Sequence, residues 1–480
     1  MKLAASFGIV FVLNVVDYLL SPIGTVIIVR GLSVQDYGFY SLISTIVAFC
    51  AMLFSLGLGV RNYRLIPGAP PDRQYDILGK TLVSQVAVAL GGVLIVLLVF
   101  RRELLAYGIA ILLATRIVVY TIDAELLRFF GHLKRNALKA ICGFLDSKLW
   151  LVPLVLLSIT SVVTVRSILL SQMIGGLVVL AVALLFTDRR RLYSGIATGA
   201  KGFRGTVREG LPLIAVELGM YVLELGDRVV IRYFGDLEEL GLYSFSYTWF
   251  RLVFRFGMLF LYVLQPYFSA RYRQWSDSGD EKSFNQFRQL AITAFRGTLL
   301  LITVAVVVLL LNYPTLVQLI GRSEYLFSYS TALILGPVPF LMLTAYFTQI
   351  IAVLIRGDRR ILRAYVIAMV ANLALNMITV PLIGRNGAAM ATGVSYLLLT
   401  AMLLSGPTMR TAELRLGPAI LLKAVACAIL TVVWHFAARE IGLGGMLLLF
   451  SDLVLSIGSG ILLRVVDVRD TRLVMKEEST

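Results

Sequence analysis

The chain has 480 residues, of which 59% are hydrophobic and 15% are charged, and its mean hydropathy is +0.87. A soluble protein of this length needs a larger polar fraction to cover its surface, so the composition excludes a soluble enzyme or binding domain. The apolar residues occur in blocks of about 20 or more, the length that an α-helix needs to cross a bilayer. We therefore predict an all-α polytopic membrane protein.

The apolar blocks, taken in chain order, predict 14 transmembrane helices. The first block continues past Asp17 without a small-residue cleavage pattern, so it is predicted to be a retained span and not a signal peptide. Pro337 and Pro339 predict a broken tenth span. The predicted spans lie at about 6–29, 38–60, 81–100, 104–124, 138–160, 162–187, 210–234, 241–267, 288–312, 329–354, 361–382, 386–406, 418–438 and 442–463.

The basic residues alternate between the two sides of this predicted topology. Both termini and the connections on one side carry 29 Lys and Arg residues, whereas the connections on the other side carry 8. By the positive-inside rule, the rich side and both termini are predicted to be cytoplasmic in a multi-pass cell-membrane protein. The net charge of +16 is therefore mostly a topology signal. Membrane lipids are predicted partners, and nucleic acids are not.

Two phrases of the sequence occur twice. The segment GFYS at 38–41 returns as GLYS at 241–244, and 128–153 resembles 356–381. The repeats predict two pseudo-symmetric six-helix halves in one orientation, followed by two extra helices; such repeats are typical of transporters that work by alternating access, although a packing motif used twice is an alternative. The predicted parts are an N-terminal lobe at 1–187, a cytoplasmic linker at 188–209, a C-terminal lobe at 210–406, and helices 13 and 14 with a cytoplasmic tail at 407–480.

Two segments carry a resemblance to a known family. Residues 30–64 resemble the start of Wzx-type polysaccharide flippases, which belong to the multidrug/oligosaccharidyl-lipid/polysaccharide exporter superfamily. Residues 372–396, an Asn-rich span with a short Gly turn and a GAA-x-AT pattern, resemble the second-half signature of these flippases. The resemblance implies a central cavity between the halves, lined mainly by spans 1, 2, 7 and 8.

The resemblance also implies a function and partners. Proteins of this family move a polyprenyl-diphosphate-linked oligosaccharide from the cytoplasmic to the outer leaflet, for cell-surface polysaccharides such as O-antigen. The implied carrier is undecaprenyl in a bacterium or dolichyl in an archaeon. A glycan polymerase or glycosyltransferases are implied as possible protein partners, in addition to the lipid-linked oligosaccharide itself.

Predicted span 7 carries the densest set of charges. Glu217, Tyr221, Glu224 and Arg228 are spaced by four, three and four residues, so they share one stripe of a helix. Asp227 lies at the edge of that stripe. We predict that Glu217, Glu224 and Asp227 serve ion coupling or charge balance.

Predicted span 8 places Tyr247, Arg251 and Arg255 on one face. Two arginines at i and i+4 repel each other, and in a low-dielectric setting they favour a shared anion. We predict that both arginines, with Arg228, bind the diphosphate of the substrate, since guanidinium pairs with phosphate oxygens in bidentate fashion. Tyr221 and Tyr247 are predicted to contact the sugars.

Internal ion pairing is the alternative for these arginines. At a rise of about 1.5 Å per residue, Glu224 lies at a depth between Arg251 and Arg255, where it would neutralise them. Phosphate binding and internal pairing are compatible if they occur at different stages of a transport cycle.

Other charges lie inside the first predicted half. Asp17 is near the middle of span 1, where an acid either binds a coupling Na⁺ or H⁺ or neutralises a basic residue of another span. Arg116 and Asp123 in span 4, with Asp146 and Lys148 in span 5, are predicted to tie helices together within this half.

The sequence predicts no catalytic residues, no metal site and no cofactor. Three cysteines lie in separate apolar blocks, where they are predicted to pack, and His132 and His435 are far apart. The longest connections have about 20 residues, too few for the extramembrane catalytic part of a glycan polymerase or ligase. The alternative functions within the superfamily are a drug/cation antiporter, which usually has fewer spans, and a lipid II-type flippase, whose opening pattern differs.

Overall fold

The computed structural model describes residues 2–160, 162–210, 214–354, 358–405 and 418–462. All regular elements in these ranges are helices, which confirms the all-α prediction. The chain forms two compact units, Met1–Gly241 and Leu242–Thr480, and each is described by itself.

The first unit contains eleven helices and the first turn of a twelfth. They are α1 (Lys2–Gly31), α2 (Val34–Phe54), α3 (Leu58–Leu65), α4 (Pro71–Val99), α5 (Arg101–Ala106), α6 (Ala110–His132), α7 (Asn136–Lys148), α8 (Leu151–Thr160), α9 (Val165–Leu185), α10 (Arg189–Gly210), α11 (Ile214–Phe234) and the start of α12 (Leu237–Ser278).

The second unit begins inside α12. Its described helices are α13 (Glu281–Leu311), α14 (Tyr313–Ile320), a 3₁₀ turn (Ser323–Ser328), α15 (Tyr329–Leu335), α16 (Val338–Leu354), α17 (Asp358–Leu404), α18 (Pro418–Glu440) and α19 (Gly445–Leu462). The helical path of α17 is interrupted at Ile383 and at Gly384, whose φ is +57°. The interruption lies where the short turn between spans 11 and 12 is predicted.

Among the described residues, eight helices are long and apolar enough to cross a membrane. The number rises to nine if the bent pair Ser323–Leu335 and Val338–Leu354, which meet at 43°, is counted as one span. The bend lies at Pro337, where the broken tenth span is predicted. Helix α6 lies at predicted span 4 but contains charged residues, which lower its hydropathy. The total of 14 spans stays a prediction.

The predicted linker is a helix that packs on the first unit. A Cβ added to Gly79 in α4 would lie 2.1 Å from the carbonyl carbon of Gly195 in α10, and one added to Gly195 would lie 2.3 Å from the carbonyl oxygen of Tyr75. Glycine therefore lets the two backbones touch. Thr198 Oγ1 in α10 also donates a hydrogen bond to Asp76 Oδ1 at 2.7 Å.

This contact predicts that α10 docks less firmly in acid. Desolvation favours the protonated form of Asp76, but hydrogen bonds from Lys80 and Thr198 outweigh it and hold the pKa of that carboxyl below its ordinary value. The stabilisation is therefore present above pH 3.8 and is lost as the pH falls through the lower folded-state pKa. We expect hydrogen-exchange protection of α10 to fall about twofold to fivefold across that window. Asp76→Asn should weaken the pH dependence; an unchanged dependence in that variant would contradict the assignment.

The repeated phrase marks a crossing of two helix starts. GFYS at 38–41 lies in α2, and the copy at 241–244 lies in α12. A Cβ added to Gly38 would lie 1.9 Å from the carbonyl oxygen of Leu237, and one added to Gly241 would lie 2.1 Å from that of Val34. Each copy of the motif therefore supplies the glycine that the other copy's helix needs for close approach.

A buried polar cluster holds the last two helices to α13 within the second unit. His435 Nδ1 in α18 lies 2.7 Å from Asp452 Oδ2 in α19, and Asn312 Nδ2 after α13 donates to the same oxygen at 2.9 Å. The buried Cys427 packs with Leu300 of α13, as predicted for the cysteines. Helices α18 and α19 are thus fixed by both polar and apolar contacts.

Candidate functional site

Asp17 of α1 lies against the end of α7 within the first unit. Lys148 Nζ is 3.2 Å from Asp17 Oδ1 and donates a hydrogen bond to Ser21 Oγ at 2.7 Å. Ser147 Oγ donates to the same Asp17 oxygen. The side chains of Lys148 and Asp17 are only 11% and 25% exposed. Asp17 therefore neutralises a basic residue of another span, one of its two predicted roles, and its coupling role stays a prediction.

A second charged cluster joins α6 and α7. Arg116 Nη2 lies 4.0 Å from Asp146 Oδ1, and the guanidinium carbon is 4.9 Å from the centre of the Tyr120 ring. Gly176 of α9 makes room for it, because a Cβ there would lie 2.7 Å from Arg116 Nη1 and 3.4 Å from Asp123 Oδ2. Asp123 is buried, and neither carboxylate oxygen has a hydrogen-bond partner among the described residues. The predicted tie between spans 4 and 5 is thus formed by Arg116 and Asp146.

The predicted stripe of span 7 lies on α11 in the first unit. Arg228 and Asp227 are buried, whereas Tyr221 and Glu224 are half-buried. Arg228 Nη1 donates a hydrogen bond to the backbone oxygen of Glu224 at 3.3 Å, so the structure brings these two residues together on one helix. The side chain of Glu217 lies outside the part that the structure describes.

The predicted residues of span 8 lie on α12 in the second unit. Tyr247 is buried and its ring stacks with that of Tyr243 at 5.8 Å between centres. Arg251 is half-buried and Arg255, one turn later, is exposed. Both arginines therefore share a helix face as predicted, while a joint site with Arg228 stays a prediction.

A buried carboxylate that the sequence analysis missed stabilises the break between α2 and α3. Glu125 accepts hydrogen bonds from Asn62 Nδ2 at 3.1 Å, Gln85 Nε2 at 3.1 Å and Arg128 Nε at 3.0 Å. Gln85 also donates to the backbone oxygen of Ser55 at 3.1 Å, beside the turn after α2. The sequence signal that could have identified this carboxylate is the position of Glu125, an acid one residue beyond the predicted end of span 4 and in the same helix as Arg116.

The family model for polysaccharide biosynthesis proteins matches residues 3–271, more than half of the chain. The chain belongs to this family. No curated protein matches this polysaccharide biosynthesis protein.

Two solved structures share the fold of this polysaccharide biosynthesis protein. "Lipid II flippase MurJ, inward closed conformation" matches with a TM-score of 0.66 and 13% identity, over 98% of this chain and 99% of that chain. An inward-facing MATE family multidrug resistance transporter of the MOP superfamily matches with a TM-score of 0.55 and 14% identity, over 85% of this chain and 100% of that chain. At these identities the matches show a common membrane-protein fold.

Two of the predicted charged sites of this family member are ion pairs between neighbouring helices of the first unit. Carboxylates of α1 and α7 are matched to Lys148 and Arg116, and arginines lie on α11 and α12. Among the residues that the structure describes, no group of three or more His, Cys, Asp or Glu side chains has the arrangement of a metal site.

Proposed function

We propose that the protein is a flippase that moves a polyprenyl-diphosphate-linked oligosaccharide from the cytoplasmic to the outer leaflet by alternating access. The main support for this proposal is the combination of the family and the fold. The chain belongs to the polysaccharide biosynthesis proteins, and its fold corresponds to that of a lipid flippase over nearly the full length of both chains.

The length of the match favours a flippase over a drug/cation antiporter. The MATE transporter is covered completely by 85% of this chain, whereas the MurJ match extends over 98%. The additional length accommodates helices such as α18 and α19, which pack on α13. We propose that these two helices contact the long polyprenyl tail. The family favours an oligosaccharide over lipid II as the cargo.

The charged helices suit an anionic cargo. An arginine inside a membrane costs at least about 2.5 kcal/mol at the centre of a helix, so it needs a partner or a function. We propose that Arg251 and Arg255, with Arg228, bind the diphosphate, and that Tyr221 and Tyr247 contact the sugars. Glu217, Glu224 and Asp227 balance these charges when the substrate is absent.

The proposal includes the energy source and the setting. Transport is coupled to a Na⁺ or H⁺ gradient, with Asp17 as the first residue to test. The protein lies in the cell membrane with both termini in the cytoplasm, where glycosyltransferases assemble its substrate; a glycan polymerase uses the product on the other side.

Arg251→Ala and Arg255→Ala test the diphosphate role. A charge-assisted bidentate contact is worth about 1.5–3 kcal/mol, so each variant should flip substrate at least about tenfold more slowly. The measurement is the flipping of a fluorescent oligosaccharide-diphosphate lipid in proteoliposomes, with the amount of folded protein determined in parallel. Arg273→Ala is the matched control, since Arg273 is an exposed arginine near the end of the same helix.

Unchanged flipping by both variants at normal protein levels would remove the phosphate role. The same assay with lipid II and with a cationic drug tests the alternative cargoes. Identifying the glycan-lipid that accumulates in a cell lacking the gene would name the sugar and the carrier.

A further inference from the structure

A cleft of about 740 Å³ opens at one end of the first unit, on the side predicted to be cytoplasmic. It is enclosed by the turn before α4, the turn between α6 and α7, and the turn between α9 and α10. A volume of this size is within the range of ligand-binding pockets. None of the residues predicted for substrate binding lines it.

The lining of the cleft is basic. Lys134, Arg135 and Arg191 contribute positive charge, and Asp188 is the acidic residue of the described lining. The Asp188 carboxylate is already engaged, because it accepts the backbone N–H groups of Arg190 and Arg191 at 3.1 and 3.2 Å as the cap of α10. Lys134 Nζ has no hydrogen bond or ion pair with any residue that the structure describes. Arg191 Nε is paired with Asp72 Oδ1 at 2.9 Å and lies 3.5 Å from Asp188 Oδ2, so the positive charge available for an anion is that of Lys134 and Arg135.

Lys134 occupies a backbone position that normally suits glycine. It lies at φ +58° after α6, where the Lys134 N–H donates to Gly131 O and the Arg135 N–H donates to Phe130 O. This pair of bonds is the Schellman motif, whose left-handed residue is usually glycine because a Cβ is strained there.

Among the described residues, two other helix ends show the same pair of bonds, and both have glycine at that position. Gly108 follows α5 with φ +60°, and Gly442 follows α18 with φ +84°. The turn at the cleft thus has a strained lysine at the position that glycine occupies in the two equivalent turns. Strain of this kind is retained where the side chain has a function.

One helix start adds to the positive potential. Helix α7 begins beside the cleft at Asn136, and within the described ranges no side chain caps it and no acid lies in its first turn. Uncapped backbone N–H groups and the positive end of the helix dipole both favour a bound anion.

One wall of the cleft is apolar and exposed. Leu185 is 67% exposed and Phe186 is 52% exposed at the end of α9, and both line the cleft. Arg135 Nη1 donates to the Phe186 backbone oxygen at 3.2 Å, so the basic and apolar walls adjoin. A soluble phosphate compound needs no such wall, whereas a membrane lipid presents an anionic headgroup with an acyl chain attached.

We propose that this cleft binds the phosphate headgroup of an anionic membrane phospholipid, with its chain against Leu185 and Phe186. Lys134 and Arg135 contact the phosphate. The bound lipid links α6, α7, α9 and α10 at one point, so it stabilises this end of the first unit. This site is separate from the proposed transport site, and its test needs no transport.

Lys134→Gly separates binding from folding. The substitution removes a charge but relieves the backbone strain, so the variant should be as thermally stable as the parent or more stable in the absence of lipid. Its affinity for phosphatidylglycerol should nevertheless fall about fivefold, because one positive charge near the anionic headgroup is lost. The double variant Lys134→Gly/Arg135→Gln loses two such charges, so its affinity should fall about thirtyfold. Lys282→Gln, a charge loss at an exposed position in the first turn of α13, is the control and should change neither quantity.

The measurement is native mass spectrometry of the full-length protein in neutral detergent, titrated with phosphatidylglycerol or with phosphatidylcholine, together with the thermal midpoint at each step. Preferential binding of phosphatidylglycerol that is weakened in both variants supports the proposal. Equal binding of the two lipids, or equal affinity of parent and Lys134→Gly, overturns it. If inorganic phosphate alone raises the thermal midpoint as much as phosphatidylglycerol, and Lys134→Gly abolishes both effects, the ligand is a soluble phosphate and the lipid assignment is wrong.

Discussion

Asp17→Asn is expected to destabilise the protein by about 3 kcal/mol, because it leaves the Lys148 ammonium in the spanning region without its counter-charge. Lys148 lies 3.2 Å from Asp17 Oδ1 and is only 11% exposed, so water does not replace the lost partner fully. The measurement is the free energy of unfolding in mixed micelles. Asp277→Asn, an acid-to-amide change at an exposed position near the end of α12, is the control and should have little effect.

The double variant Asp17→Asn/Lys148→Met should regain most of the lost stability. Removing both charges also removes the cost of burying them, so the two substitutions are not additive. Lys148→Met alone should be destabilising, since it leaves the carboxylate with only the Ser147 hydroxyl as a side-chain donor in the described region. A double variant as unstable as the worse single one would show that the pair does not act as a unit.

The same variants test ion coupling without the confusion of misfolding. If Asp17 only balances Lys148, the double variant should flip substrate with an unchanged dependence on the Na⁺ and H⁺ gradients. If Asp17 also binds the coupling ion, the stable double variant should lose that dependence. Asp17→Asn alone cannot distinguish these outcomes, because it changes stability and ion binding together.

The helices and their interruptions were predictable from the sequence because their signals are local. Apolar blocks give the membrane-crossing helices, and the Gly384 turn and the bend before Pro339 follow from glycine and proline chemistry. The charged helix α6 shows the limit of that signal. Its four charged residues lower the hydropathy of a segment in which Arg116 is paired with Asp146 and Glu125 accepts a hydrogen bond from Gln85 inside the unit.

The partners of the charges were not predictable, because they depend on how each helix is rotated about its axis. Asp146 and Lys148 are two residues apart in α7, and sequence spacing does not say that one meets Arg116 and the other Asp17. Each residue rotates the side-chain direction by about 100°, so a small error in register changes the partner.

The proposed site of Arg228, Arg251 and Arg255 also shows which relations sequence spacing can predict and which it cannot. Spacing correctly predicts that Arg251 and Arg255 follow each other on one helix face, because that relation is internal to α12. Whether Arg228 acts with them depends on relations between elements that no local pattern encodes. The transport assay on Arg251→Ala and Arg255→Ala is therefore needed, because sequence spacing does not show whether these arginines bind the substrate.

Gly38→Ala and Gly241→Ala are each expected to destabilise the protein by about 3 kcal/mol, the upper part of the range for overpacking. The added methyl carbon would lie 1.9 Å from Leu237 O in the first case and 2.1 Å from Val34 O in the second. Both obstacles are backbone atoms, which cannot rotate away as a side chain does. The first turns of α2 and α12 would have to separate by more than about 1 Å to restore ordinary contact distances.

Gly91→Ala is the matched control, because Gly91 also lies within a helix but has no atom within 4 Å of an added Cβ. Its helix should become slightly more stable, by about 0.5–1 kcal/mol, through the higher helix propensity of alanine. The free energy of unfolding in mixed micelles measures all three variants. If Gly38→Ala were as stable as Gly91→Ala, the two helix starts would not be in backbone contact.

The double variant Gly38→Ala/Gly241→Ala decides whether the repeated motif works as one crossing. Once the first methyl group has pushed the helix starts apart, the second finds part of its space already open, so the combined loss should be well below the sum of the single losses. Strict additivity would mean that the two glycines relieve separate clashes. Non-additivity would give the duplication a physical reason: the motif is present in both helices because each copy fits against the other.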